Sequence, residues 1–201
     1  YRQANRLVPK DGTPHNQLAV LECTGTPINK INVVFHYCLS LSAVSPGASA
    51  STNMNTFFQK HRQPTFPIPV DPTSTSRRDA TAIQQAQLKT MQHFCAGFIA
   101  LHDLIWSQTS GSTSFEAASS RLFANFDRGL IGTWLKSVDA SDPDLSANGR
   151  FSSSDLVKVV VINIWSVETL RLRQNEESPA YEWAVFLSLR MLTQLISWLA
   201  Q

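Results

Sequence analysis

Asn16 carries a side-chain amide that both donates and accepts hydrogen bonds, and it stands in the run Leu7-Val8-Pro9-Lys10-Asp11-Gly12-Thr13-Pro14-His15-Asn16-Gln17-Leu18-Ala19-Val20-Leu21. At the start of a helix, such an amide ordinarily bonds local backbone. The remaining chemistry-bearing side chains are not spaced for joint work. His93 and His102 are nine residues apart, half a turn out of phase on a helix, so they cannot share a metal ion. His36, Tyr37 and Cys38 are consecutive, and adjacent helical side chains diverge, which leaves His36 as a packing or exposed histidine. Gly129-Leu130-Ile131-Gly132 has no strand before it and no phosphate-loop Lys-Ser/Thr after it, so it reads as a close helix contact. Ser152-Ser153-Ser154-Asp155 reads as a helix cap, not a nucleophile, and the carboxylates are scattered. Aromatic residues fall on apolar stripes without interleaved basic ones, which disfavours a base-stacking platform. No catalytic residue, metal ligand set or cofactor motif is expected.

The elements that must position Asn16 follow from the same run. Tyr1, Ala4 and Leu7 form one helical stripe, and Pro9 stops that helix because it donates no backbone hydrogen bond and biases Val8 toward extended geometry. Gly12 allows a reversed turn, Pro14 sits in a first helical turn, and Gln17 to Leu21 continue a second helix. One helical hairpin closes here and the next begins. Ile31, Val34, Phe35, Cys38 and Leu41 then recur at helical spacing until Pro46-Gly47. A shorter helix is predicted from about Ala48 to Gln63, with Met54, Phe57 and Phe58 facing inward. Four prolines crowd residues 64–72 and a Ser/Thr run follows, which rules out helix and marks an internal boundary with a flexible, protease-sensitive loop.

Four long helical patterns lie beyond it. Leu88, Met91, Cys95, Phe98, Leu101 and Ile105 mark the first, and Phe115, Ala118, Leu122, Phe126, Leu130 and Trp134 the second. A polar loop over 138–149 precedes the third, which runs from about Ser153 to Gln174 with Ser153 or Ser154 as cap. Its Val159-Val160-Val161-Ile162 core could be a buried strand, but unbroken length without Gly or Pro favours a buried helix. The fourth runs from Tyr181 through Val185, Leu192, Leu195 and Trp198. Glu182, Arg190 and Gln194 interrupt it, and a central charge costs ~2.5 kcal/mol or more in lipid, so it is no membrane span. The fold class is all-α, an antiparallel helical array.

Hydrophobic residues at 43% and charged ones at 16% describe a packed globular chain. Residues 1–63 hold six Lys/Arg against two Asp/Glu, while residues 64–201 hold eleven against thirteen. The amino-terminal piece is therefore the basic one and suits an acidic partner. Cys23, Cys38 and Cys95 form no even disulfide set, and no Asn-x-Ser/Thr acceptor occurs, which points to a reducing compartment. The absence of a signal peptide and a start inside a helix fit a piece of something longer.

The pattern P-x-x-G-x-P-x-N-Q-L-A-x-L, preceded by Tyr1 and Ala4, resembles the signature of a family of nonsense-mediated decay and telomerase factors. That family holds SMG five, six and seven and the Ever Shorter Telomeres telomerase subunit. Val34-Phe35-His36-Tyr37-Cys38-Leu39-Ser40, Ala50-Ser51-Thr52-Asn53-Met54 and Leu156-Val157-Lys158-Val159-Val160-Val161-Ile162-Asn163-Ile164 resemble its SMG seven branch most. The resemblance implies that residues 1–63 are the last helices of a 14-3-3-like, tetratricopeptide domain. Residues 64–77 would then be a Pro/Ser/Thr-rich linker loop and residues 78–201 an α-helical extension. It implies a non-enzymatic adaptor that recognises the phosphorylated up-frameshift RNA helicase and pairs with the SMG five paralogue as a heterodimer. Decay machinery and protein phosphatase would be recruited, in the cytoplasm with shuttling to the nucleus. Asn16 falls where 14-3-3 proteins place a groove asparagine, so the resemblance makes it a peptide-binding residue, its amide pairing with peptide backbone at little cost to folding if lost. The family's phosphate-gripping cations lie before Tyr1, and Arg2 and Arg6 do not match them. The alternative within the family is a telomerase-associated protein that binds single-stranded DNA or RNA directly.

Overall fold

Prolines and polar caps set the helix boundaries in the computed structural model, which describes residues 1–25, 28–62, 80–107, 112–126, 153–173 and 176–200. Among these the elements are α1 (Arg2–Leu7), α2 (Thr13–Cys23), α3 (Lys30–Ser42), α4 (Ala50–His61), α5 (Ala80–Ser107), α6 (Ser112–Asn125), α7 (Ser153–Leu172) and α8 (Pro179–Leu199). The all-α expectation holds. Helix α1 stops at Val8, whose φ of −131° is the extended geometry that the following Pro9 demands. Pro14 lies in the first turn of α2 and α8 begins on Pro179, both places where the missing N–H is no loss. The Asn29 side chain caps α3 by accepting from the Asn32 N–H at 3.2 Å.

Gly12 is needed for space, not for a reversed turn. Its φ of −78° and ψ of −11° are ordinary right-handed values. A Cβ there would lie 2.2 Å from the Ser40 carbonyl oxygen and 2.8 Å from the Gly47 nitrogen. Three hydrogen bonds hold this close approach. Gly12 N–H donates to the Ser45 carbonyl at 2.8 Å, Ser45 N–H to the Lys10 carbonyl at 2.9 Å, and the buried Ser40 hydroxyl to the Gly12 carbonyl at 2.7 Å. The α1–α2 turn is thereby stitched to the α3–α4 turn.

One apolar cluster runs from Ala19 on α2 through α3, α4, α5, α6 and α7 to Leu187 on α8. Phe57, Phe58 and Met54 face inward as the pattern predicts, and so do Phe98, Leu101, Ile105, Phe115, Ala118 and Leu122. Val159 and Ile162 are fully buried on α7. Burying such a side chain yields ~1.5–3 kcal/mol, which outweighs a helix-propensity deficit of a few tenths per β-branched residue. Helix therefore wins over strand. Val160, expected to be buried with them, is only half-buried.

Two apolar stripes differ from expectation. Leu7 is 82% exposed and Tyr1 is exposed too, so the α1 stripe meets no partner among the described residues. On α8 the buried face is Ala180, Trp183, Ala184, Leu187 and Met191, while Leu189, Leu192 and Ile196 point outward. Glu182, Arg190 and Gln194 share one side of α8 and leave a broad apolar arc, and its neighbours α5, α6 and α7 decide which part of that arc is buried. Residues 64–77, the loop 138–149, the Gly129–Gly132 motif and the tail of the second stripe lie outside the described residues. Contacts nevertheless join the helices on either side of the proline-rich segment. Arg62 makes a bidentate pair with Asp103 at 2.6 and 2.8 Å, and Lys158 reaches the Asn32 side-chain oxygen at 2.6 Å.

Candidate functional site

The stitched turns place the first turn of α2 against the start of α4, and that is where Asn16 lies. Its side chain is 3% exposed. The Asn16 Nδ2 donates to Ser49 Oγ at 3.0 Å, and Asn53 Nδ2 donates to Asn16 Oδ1 at 3.1 Å. Asn53 Nδ2 also reaches Ser49 Oγ at 3.3 Å. Asn16 thus joins two helices, where the local expectation was backbone capping. The residues above it are more open: Ser49 is exposed and Asn53 half-buried. Asn53 appeared in the sequence only within a longer resemblance, and nothing in its spacing from Asn16 marked the contact.

Beside this network the rings of His15 and His36 stack with centroids 5.3 Å apart, their Nδ1 atoms separated by 3.1 Å. One ring must donate and the other accept, so the contact requires a neutral partner. Burial pushes the His15 pKa down, in keeping with that. The pair fastens α2 to α3, and His36 is accordingly a packing histidine. His102 is fully enclosed. Its Nδ1 donates to the Phe98 carbonyl at 2.9 Å, and burial lowers its pKa to about 4, while the Phe98 carbonyl and the neighbouring Asn163 amide pull the other way. It is neutral at physiological pH. Among the described residues, no group of three or more His, Cys, Asp or Glu is placed to hold a metal ion. Cys23, Cys38 and Cys95 are free thiols, and burial is the largest influence raising the pKa of each.

Arginine and aromatic side chains, which do not interleave along the chain, do so in space. The Arg173 guanidinium lies 4.7 Å from the Trp106 ring centroid, and Trp106 stacks on Trp165 at 5.5 Å and 26°. Arg190 covers Phe123 at 4.4 Å. These contacts join cations and rings that lie far apart in sequence. No helix among the described residues is long and apolar enough to cross a membrane.

Comparison with known proteins agrees with the resemblance read from the motifs. The chain is 26% identical over 176 residues to the nonsense-mediated mRNA decay factor SMG7 of Danio rerio, covering 88% of this chain and 12% of that protein. It is 24% identical over 205 residues to the nonsense-mediated mRNA decay factor SMG7 of Arabidopsis thaliana, covering 90% of this chain and 18% of that protein. The chain thus spans less than a fifth of the length of these curated relatives. The family model described as the Est1 DNA/RNA binding domain matches residues 1–201. With that match running the whole of the sequence, the chain belongs to the Est1 DNA/RNA binding domain family.

Proposed function

We propose that this chain is part of a non-enzymatic adaptor in nonsense-mediated mRNA decay, within a phosphopeptide-binding scaffold that recognises the phosphorylated up-frameshift RNA helicase. The scaffold pairs with the paralogous SMG five protein and recruits decay machinery and phosphatase, in the cytoplasm with passage to the nucleus. Residues 1–63 supply the last helices of its 14-3-3-like part, and residues 78–201 the helical extension behind them. The observation that carries this reading is the Asn16–Ser49–Asn53 network in the basic part of the chain. Asn16 contributes from beneath, by orienting Asn53 and Ser49 toward the backbone of an extended peptide.

The test is isothermal titration of the full-length protein with a phosphorylated helicase peptide and its unphosphorylated twin. At least tenfold preference for the phosphopeptide is expected. Asn53→Ala should weaken it by about three- to a hundred-fold, the loss of one or two hydrogen bonds at ~0.5–1.5 kcal/mol each. Equal affinity for the two peptides overturns the reading.

A second reading, direct contact with single-stranded nucleic acid, is favoured by the family's DNA/RNA-binding description and by the guanidinium of Arg173 on Trp106. Phosphate contacts would give it a steep salt dependence.

A further inference from the structure

We propose that Trp106, Trp165 and Arg173 form a base-stacking site for single-stranded nucleic acid, an inference that rests on the second reading above and gives it a location. The two indoles come from the last turn of α5 and the middle of α7, and both are half-buried. Both also pack against the apolar cluster, but they are more open than the stacked pair Phe115 and Trp183, which is 2% and 8% exposed. The Trp106 indole N–H donates to the Asn55 side-chain oxygen, which fixes the plane of the ring. Arg173 is exposed and lies on that ring as a flat cation.

A second guanidinium is tied to the same helix as Trp106. Arg62 is bound through Nε and Nη2 to Asp103, one helical turn before Trp106 on α5. Flat aromatic faces accept any unpaired base, and guanidinium groups serve either as stacking planes or as phosphate donors. An incoming base takes the place of Arg173 on Trp106. The released guanidinium then meets the phosphate of the same nucleotide. Paired bases cannot enter, because their faces are already stacked within the duplex.

The experiment uses the full-length protein with a 5-iodouridine-bearing oligouridylate and an abasic oligonucleotide of equal length. Photocrosslinks should map to Trp106 or Trp165, and the base-bearing strand should bind at least fivefold tighter than the abasic one. Trp106→Leu should abolish that preference, and Trp106→Phe should restore most of it. Arg173→Ala, an exposed change that leaves folding intact, should lower the slope of log Kd against log salt by about one. Binding that persists with its base preference intact in Trp106→Leu and Arg173→Ala overturns the site while leaving nucleic-acid binding standing. Absence of binding to either strand at low salt overturns the second reading and the site with it.

Discussion

Asn16→Ala deletes two hydrogen bonds at once, the one Asn16 gives to Ser49 at 3.0 Å and the one it takes from Asn53 at 3.1 Å. At ~0.5–1.5 kcal/mol each, the sum is ~1–3 kcal/mol. Asn53 and Ser49 lie nearer the surface and keep their own 3.3 Å contact, so water relieves the stranded groups. The lower part of the range is therefore expected, about 1–2 kcal/mol. For a chain of this size that is a fall in Tm of ~2–8 °C. A groove amide that water could replace, as the motif alone implied, would have left melting almost unchanged; burial at 3% exposure alters that expectation. A double-mutant cycle with Asn53→Ala isolates the pair, with a coupling of ~0.5–1.5 kcal/mol. Denaturant titrations of the four proteins measure it. Coupling indistinguishable from zero would show that the network does not hold α2 on α4, and the orienting role assigned to Asn16 would fall with it.

Gly12→Ala should cost about 3 kcal/mol, because its new Cβ meets backbone atoms of Ser40 and Gly47, which cannot yield as a flexible side chain would; a thermal melt within 2 °C of the parent, on the order of 0.5–1 kcal/mol, would contradict the close approach. Ile162→Asp should be far worse than Val160→Asp, on the order of 4 kcal/mol or more against about 1, since only the first strands a carboxylate in the core; urea midpoints that fall equally would refute the assigned faces. Stability should also decline as pH falls from 6.5 to about 4. Over that window the unfolded chain protonates His102 at its ordinary value, while the folded chain, with its pKa held down by burial, does not. The gap corresponds to about 3 kcal/mol at most. His102→Gln should flatten the decline, leaving the part due to carboxylates, and an unchanged pH profile of the melting temperature in that variant would exclude the contribution.

Much of the fold was legible because proline positions and one-sided stripes act locally. The stop before Pro9 and the inward Met54, Phe57 and Phe58 needed no partner to be read. Where the apolar arc of a helix is broad, the sequence did not say which part of it is buried. On α8 the choice of Trp183, Ala184 and Leu187 over Leu189 and Ile196 belongs to the surfaces that α5, α6 and α7 offer. Gly12 shows a subtler gap. Glycine between Pro9 and Pro14 signals a turn, but the signal does not separate a backbone that needs positive φ from one that needs bare space. The deciding neighbours, Ser40 and Gly47, are about thirty residues away.

The site was less legible than the fold, for the same reason carried further. Asn16 could be picked from its motif, yet the atoms that use its amide belong to Ser49 and Asn53, over thirty positions on. His15 and His36 are unremarkable at a spacing of 21, and their contact exists only because α2 and α3 pack side by side. The aromatic–cation arrangement is the sharpest instance. Linear interleaving of Arg with Trp is how a single strand or hairpin would display both on one face, and this chain lacks it. A helical array meets the same requirement differently, taking Trp106 from α5, Trp165 and Arg173 from α7 and its margin, and Asn55 from α4. In an all-α scaffold, then, cations and rings can meet on one surface without an interleaved motif. What counts is whether helix ends converge, and at the carboxyl ends of α5 and α7 they do.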